Sequence, residues 1–154
     1  MFWGCFLGRE KGPCLFWEKE WGSINAERYC QYIVPLICGW MRMKPGQIFM
    51  QDNAPAHRSR VTERELEERG VQKICWPPFS PDLNPIECVW NMIKNWIERR
   101  YPKVGGREYS YDNLRQQVQE AWDAVSPEYL QSLVDSMGVR CQAVIEAEGG
   151  YTRF

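Results

Sequence analysis

Trp76-Pro77-Pro78-Phe79-Ser80-Pro81-Asp82-Leu83-Asn84-Pro85-Ile86-Glu87 places four prolines among the nine residues 77–85. Proline fixes φ and carries no N–H, so 77–85 reads as an ordered loop rather than a strand or helix. The loop hands over to a helix. Asn84 fits the N-cap, Pro85 the first helical position and Glu87 the third, a capping-box arrangement. Beyond them Ile86, Val89, Trp90, Ile93, Trp96 and Ile97 recur at helical spacing and predict a strongly amphipathic helix. A stiff loop thus delivers a carboxylate to the first turn of a helix, and little further entropy is lost in holding it there.

Outward from this stretch, Ile48-Phe49-Met50 and Ile74-Cys75-Trp76 are short apolar runs that predict buried strands. The first leads into Gln51-Asp52-Asn53-Ala54-Pro55-Ala56-His57. That puts Asp52 at a strand end, where α/β sheets gather ligands and catalytic groups. A charged helix is predicted over 55–68, closed by Gly70. Residues 1–7 and 14–17 predict a hairpin with turn residues over 8–12. A helix starting near Asn25 carries Tyr29, Ile33, Leu36 and Trp40 on one face, bent or split by Pro35. Downstream, Leu114, Val118, Ala121, Trp122 and Val125 mark a helix, and Ser126-Pro127 caps another with Leu130, Leu133, Val134 and Met137 on its face. Strands first, then alternation, then helices predict a mixed α/β sheet with a helical C-terminal cover.

The 154 residues fit one domain that can bury roughly 70% of its unfolded surface. With 44% hydrophobic and 14% aromatic residues, a disordered tail is excluded. The longest apolar run, 32–41, contains Pro35 and is too short to span a bilayer. The start of the chain lacks the basic leader of a signal peptide. A net charge of −1 argues against a dedicated basic DNA-reading domain. The seven cysteines (5, 14, 30, 38, 75, 88 and 141) form no CxxC pair and His57 is the sole histidine. Zinc is therefore not expected, and reduced thiols are.

Together, "QDNAPAH" at 51–57, "WPPFSPDLNPIE" at 76–87 and the following Trp90 resemble the catalytic domain of mariner-superfamily (Tc-type) DDE transposases. The 34 residues between Asp52 and Glu87 match the spacing of that family's last two acids. Trp3-Gly4 and the C-terminal "AVIEAEGGYTRF" are similar too, so the resemblance covers nearly the whole chain. It implies an RNase H-like α/β fold, a mixed sheet flanked by helices with a helical C-terminal part, formed by a single partial domain over 1–154. It implies cut-and-paste transposition: metal-dependent DNA phosphodiester cleavage and strand transfer. By the match Asp52 is the second metal-binding acid and Glu87 the third, on two Mg²⁺ (or Mn²⁺) ions roughly 3.5–4 Å apart in the complete domain. Hard Mg²⁺ favours such oxygen ligands. No Asp precedes Asp52, and the family's first strand and helix-turn-helix region have no counterpart. The resemblance therefore implies an N-terminally truncated fragment, lacking the first strand and inactive alone. Its implied partners are DNA, as transposon ends and target, and a second copy in a homodimer, with neither membrane nor small-molecule cofactor. The implied location is nuclear, or otherwise cytoplasmic.

Each site residue also has a structural reading. Asp52 suits a turn, and Glu87 suits a capping box. Asp82 is expected to close an Asx-turn in the proline loop. His57, at the start of its predicted helix, is a candidate contact to the scissile phosphate, with a purely structural role as the alternative. Lys94, Arg99, Arg100, Lys103 and Arg107 form a basic cluster that fits DNA phosphates and equally fits a helix C-terminus, whose dipole favours cations. Trp90, Trp96 and Trp122 lie on apolar stripes and are expected in the core. The alternative function is a non-catalytic nucleic-acid- or protein-binding remnant of a transposase.

Overall fold

The computed structural model describes residues 1–102 and 110–154. Its contacts divide the chain into two units, one of Met1, Trp3 and Gly12–Pro81, the other of Phe2, Gly4–Lys11 and Asp82–Phe154. Strands β1 (Phe2–Leu7) and β2 (Glu10–Phe16) pair as a two-stranded sheet. The turn is shorter than predicted, two residues, because Gly8 takes φ +56°, a conformation open to a residue without Cβ. Gly12 and Pro13 consequently lie inside β2; in a sheet of two strands each has a free edge, where proline is tolerated.

In the first unit, α1 (Ala26–Tyr32) starts at Asn25, whose side-chain oxygen accepts the Arg28 N–H at 2.9 Å. Pro35 splits the predicted helix, and α2 (Val34–Arg42) follows after a joint at Ile33. The break turns Ile33, Val34, Ile37 and Cys38 into the core and leaves Leu36 and Trp40 half-buried. α3 (Arg60–Glu68) starts five residues later than predicted. The Ala54 carbonyl accepts both the His57 and Arg58 N–H groups in a turn, and only Ser59, extended and capping Thr62, begins the helix. α1 and α2 pack on α3 around Trp17, Tyr29, Ile37, Leu66 and Val71.

The two predicted buried strands of this unit reduce to one parallel bridge. Phe49 N–H donates to the Gln72 carbonyl at 2.7 Å and Ile74 N–H to the Phe49 carbonyl at 2.9 Å. Pairing ends there, short of Pro77 and Pro78, as the chain turns at Asp52. Ile48 and Ile74 are 54% and 45% exposed, and a parallel ladder extends where both faces are covered.

The second unit holds α4 (Ile86–Arg100), α5 (Tyr111–Asp123), α6 (Pro127–Asp135) and α7 (Met137–Glu146). Ser110 and Ser126 cap α5 and α6 through their hydroxyls. Val89, Ile93, Trp122, Val125, Leu130 and Leu133 form the core, with Trp90 and Trp96 half-buried. Phe2 lies edge-on to Trp90 and Trp122, at 5.7 and 5.6 Å between ring centroids. A Cβ on Gly4 would sit 3.1 Å from the Trp122 ring, so any larger residue needs that ring to give way by a few tenths of an ångström. Lys11 Nζ donates to the carbonyls of Trp122, Asp123 and Val125, satisfying the end of α5 with a cation. No disulfide joins the seven cysteines, and no helix among the described residues is long and apolar enough to cross a membrane.

Leu66→Ala is expected to cost about 2–5 kcal/mol, as for other buried leucines. Val61→Ala on the outer face of α3 is expected within about 0.5 kcal/mol. Urea unfolding followed by tryptophan fluorescence measures both.

Candidate active site

Asp52 sits where the bridged segment turns. Its Oδ1 accepts the Ala54 N–H at 2.9 Å, an Asx-turn, and faces His57 Nδ1 at 2.6 Å. A carboxylate can only accept, so Nδ1 carries the shared proton. His57 is not at the start of a helix as predicted but within the turn before α3, its ring 4.6 Å from that of Tyr29. The Tyr29 hydroxyl donates to the Gln51 side chain at 2.8 Å, fixing the residue before Asp52. Asn53, on its other side, donates to the carbonyls of Trp76 and Pro77 at 2.9 and 3.2 Å. Sequence reading missed Tyr29, Gln51 and Asn53 as supports, because their partners are 22 to 24 residues away. Among the described residues nothing hydrogen-bonds Asp52 Oδ2, and the side chain is 46% exposed.

The stretch predicted as loop throughout contains a 3-10 turn at Pro81–Leu83, and its parts act differently from the prediction. Phe79 is fully exposed at φ +52°, a left-handed conformation that costs a bulky residue about 1–3 kcal/mol. Asp82 closes no Asx-turn. Its Oδ2 accepts the N–H and the hydroxyl of Thr152 at 3.0 and 2.5 Å. Those two bonds hold its carboxyl below the usual range. The capping box is absent: Pro85 stands at the N-cap and α4 starts without a side-chain cap. Asn84 instead gives its carbonyl to the Glu87 N–H at 3.1 Å. Glu87 is exposed in the first turn of α4, and its carboxylate takes no hydrogen bond among the described residues.

Lys94, Arg99 and Arg100 are exposed on α4. Lys103 and Arg107 lie outside the described residues. Arg99 lines an open groove of about 420 Å³ with Asn91, Asn95, Trp96 and Tyr129. The Tyr101 hydroxyl at the end of α4 donates to Glu120 on α5; that bond pushes the tyrosine pKa up and the glutamate's down. The structure thus brings Asp52 and His57 together in the first unit and places Glu87 and the cations in the second. Among the described residues, no three His, Cys, Asp or Glu side chains gather into a metal-capable group.

Residues 6–105 match the family model of the DDE superfamily endonucleases. The Tc1 transposase of Caenorhabditis elegans is 34% identical over 157 residues, covering all of this chain and 54% of that protein. The chain therefore spans about half the length of the curated relatives it matches. The Mos1 transposase paired-end complex with the left transposon end superposes with a TM-score of 0.81 at 21% identity, over 99% of this chain and 44% of that one. The Mos1 catalytic domain solved with raltegravir and Mg gives 0.70 at 23% identity, over 85% and 66%. The chain belongs to the DDE endonuclease superfamily and has the RNase H-like fold of the Mos1 catalytic domain.

Because its folded pKa is lowered, Asp82 adds stability that is fully present above the unfolded carboxyl value of about 3.9. That stability is lost as the pH falls through the lowered pKa. Asp82→Asn is therefore expected to flatten the acid limb of stability below about pH 4. Urea midpoints taken along that range check this, and an Asp82→Asn limb as steep as the wild type's contradicts the role.

Proposed function

We propose that the chain is part of the catalytic domain of a cut-and-paste DNA transposase. In this reading Asp52 and Glu87 supply two of the carboxylates that hold divalent metal for phosphodiester cleavage and strand transfer. The observation that carries it is the state of the two acids inside a matched DDE family domain: Asp52 keeps Oδ2 open and Glu87 keeps its whole carboxylate open. Buried or capping carboxylates would have used those oxygens. The donor set fits Mg²⁺ or Mn²⁺, hard ions bound through one or two carboxylates with water and substrate phosphate completing the shell. Mos1 has been solved with Mg and with Mn.

The metal, when bound, supplies positive charge that activates the attacking oxygen and stabilises the leaving one. The chain's own residues do the orienting. His57 pins Oδ1 of Asp52 and so aims Oδ2. Tyr29, through Gln51, and Asn53, through the Trp76 and Pro77 carbonyls, fix the backbone on either side. Lys94, Arg99 and Arg100 contact DNA phosphates. The DNA is a transposon end and its target, met by a pair of subunits in the nucleus; the paired-end complex of Mos1 supports the DNA assignment. A second reading, a DNA-binding remnant without catalysis, is favoured by the lack of a three-residue metal cluster among the described residues.

The chain joined in frame to the upstream half of its Tc1 relative is expected to nick plasmid DNA bearing the matching terminal repeats, dependent on Mg²⁺. Asp52→Asn and Glu87→Gln should each cut the rate by more than about 100-fold, and His57→Ala, which removes only a ligand's partner, by about 10–100-fold. Nicking that survives both carboxylate substitutions overturns the site. DNA retention in EDTA and in Glu87→Gln, with no nicking in any form, supports the second reading.

A further inference from the structure

Arg140 on α7 is only 4% exposed, and its guanidinium is spent on the approach to α4. Nη1 donates to the Asp82 carbonyl at 2.8 Å and Nη2 to Cys88 Sγ at 3.0 Å, while Nε donates to Ser136 Oγ at 2.9 Å. The ring of Phe154 lies 4.8 Å from its guanidinium carbon. Thr152, two residues before, grips the Asp82 carboxylate with its N–H and hydroxyl, and its Oγ1 accepts the Phe154 N–H at 3.2 Å. Segment 82–88 is therefore held at its entrance, Asp82, and in the first helical turn, Cys88. Glu87 lies between these two grips.

Two features set this arrangement apart from ordinary helix packing. The first turn of α4 has no side-chain cap, so its local fixing is weak. A cation beside a helix N-terminus also opposes the helix dipole, so helix stability does not account for burying Arg140 there. What the arrangement does achieve is a fixed direction for the turn that bears Glu87. Placement to within a fraction of an ångström is what a catalytic carboxylate requires.

We propose that Thr152–Phe154 and Arg140 form a strap that positions Glu87, with Asp82 as its buckle. The inference rests on the reading of Glu87 as a metal ligand; Thr152, Asp82 and Arg140 are positioning residues. The strap also gives a role to the C-terminal Gly149-Gly150-Tyr151-Thr152-Arg153-Phe154, which the proposed chemistry leaves unused.

The test uses this chain without metal and then with Mn²⁺ alone. Amide hydrogen exchange in Thr152→Val should quicken at residues 86–90 and stay at the wild-type rate at 116–122 in α5. Thr152→Ser, which keeps the hydroxyl, should restore it. Mn²⁺ affinity, read by electron paramagnetic resonance, should fall roughly 10-fold in Thr152→Val and recover in Thr152→Ser. Unchanged exchange at 86–90, or equal quickening in α5, overturns the strap. Quickened exchange with unchanged Mn²⁺ affinity, while Glu87→Gln weakens it, overturns the positioning role. If Glu87→Gln leaves Mn²⁺ affinity unchanged, the metal-ligand reading fails instead, and the exchange data still decide whether the strap holds the turn.

Discussion

A single oxygen, Oδ1 of Asp52, accepts from the Ala54 N–H and from the ring of His57. Much of the first unit's local order follows from that double engagement. It closes the turn that follows the bridged Phe49, and the Ala54 carbonyl carries that turn on to Arg58. It also delays α3 until Ser59 can cap it, and it leaves Oδ2 as the exposed face of the carboxylate. The turn that shapes the chain and the proposed chemistry thus share one side chain. In the sequence the two roles stood as alternatives, a turn aspartate or a metal ligand. In the structure Oδ1 takes the turn role, and the proposed metal role falls to Oδ2.

Glu87 is the contrasting case. No neighbouring side chain fixes it: the expected capping box is missing, because the chain enters α4 through Pro85 and Asn84 offers the Glu87 N–H its carbonyl rather than its side chain. Order at that point comes from residues 52 to 70 positions away in sequence, Arg140 and Thr152. The carboxylate of one acid is held by its neighbours in the chain, whereas the other depends on distant tertiary contacts.

That difference also explains what the sequence revealed. Helical periodicity identified α4, α5 and α6, and the short-range caps of Asn25 and Ser126 were readable because their partners lie three residues away. The Pro35 break followed from covalent geometry. Asp52, Glu87 and their flanking words were legible as motifs. The two runs predicted as buried strands were not what they looked like, since apolar composition cannot say whether a second face is covered; Ile48 and Ile74 are exposed. Asp82 looked like a turn residue because its partner, Thr152, lies 70 positions on. α7 was not separated from α6, for its pattern is organised around a buried arginine rather than an apolar stripe.

Gly4 has a consequence of another kind. Every missense change at a glycine codon adds at least a Cβ, and here that atom arrives 3.1 Å from one indole and 3.4 Å from a second. Overpacking of that sort costs about 1–3 kcal/mol, a large share of the stability of a small fold. Where selection maintains this fold, the codon for residue 4 is therefore expected to change mainly by synonymous substitution for as long as the paired tryptophans persist. Its third base then runs as a clock beside two bases that selection slows.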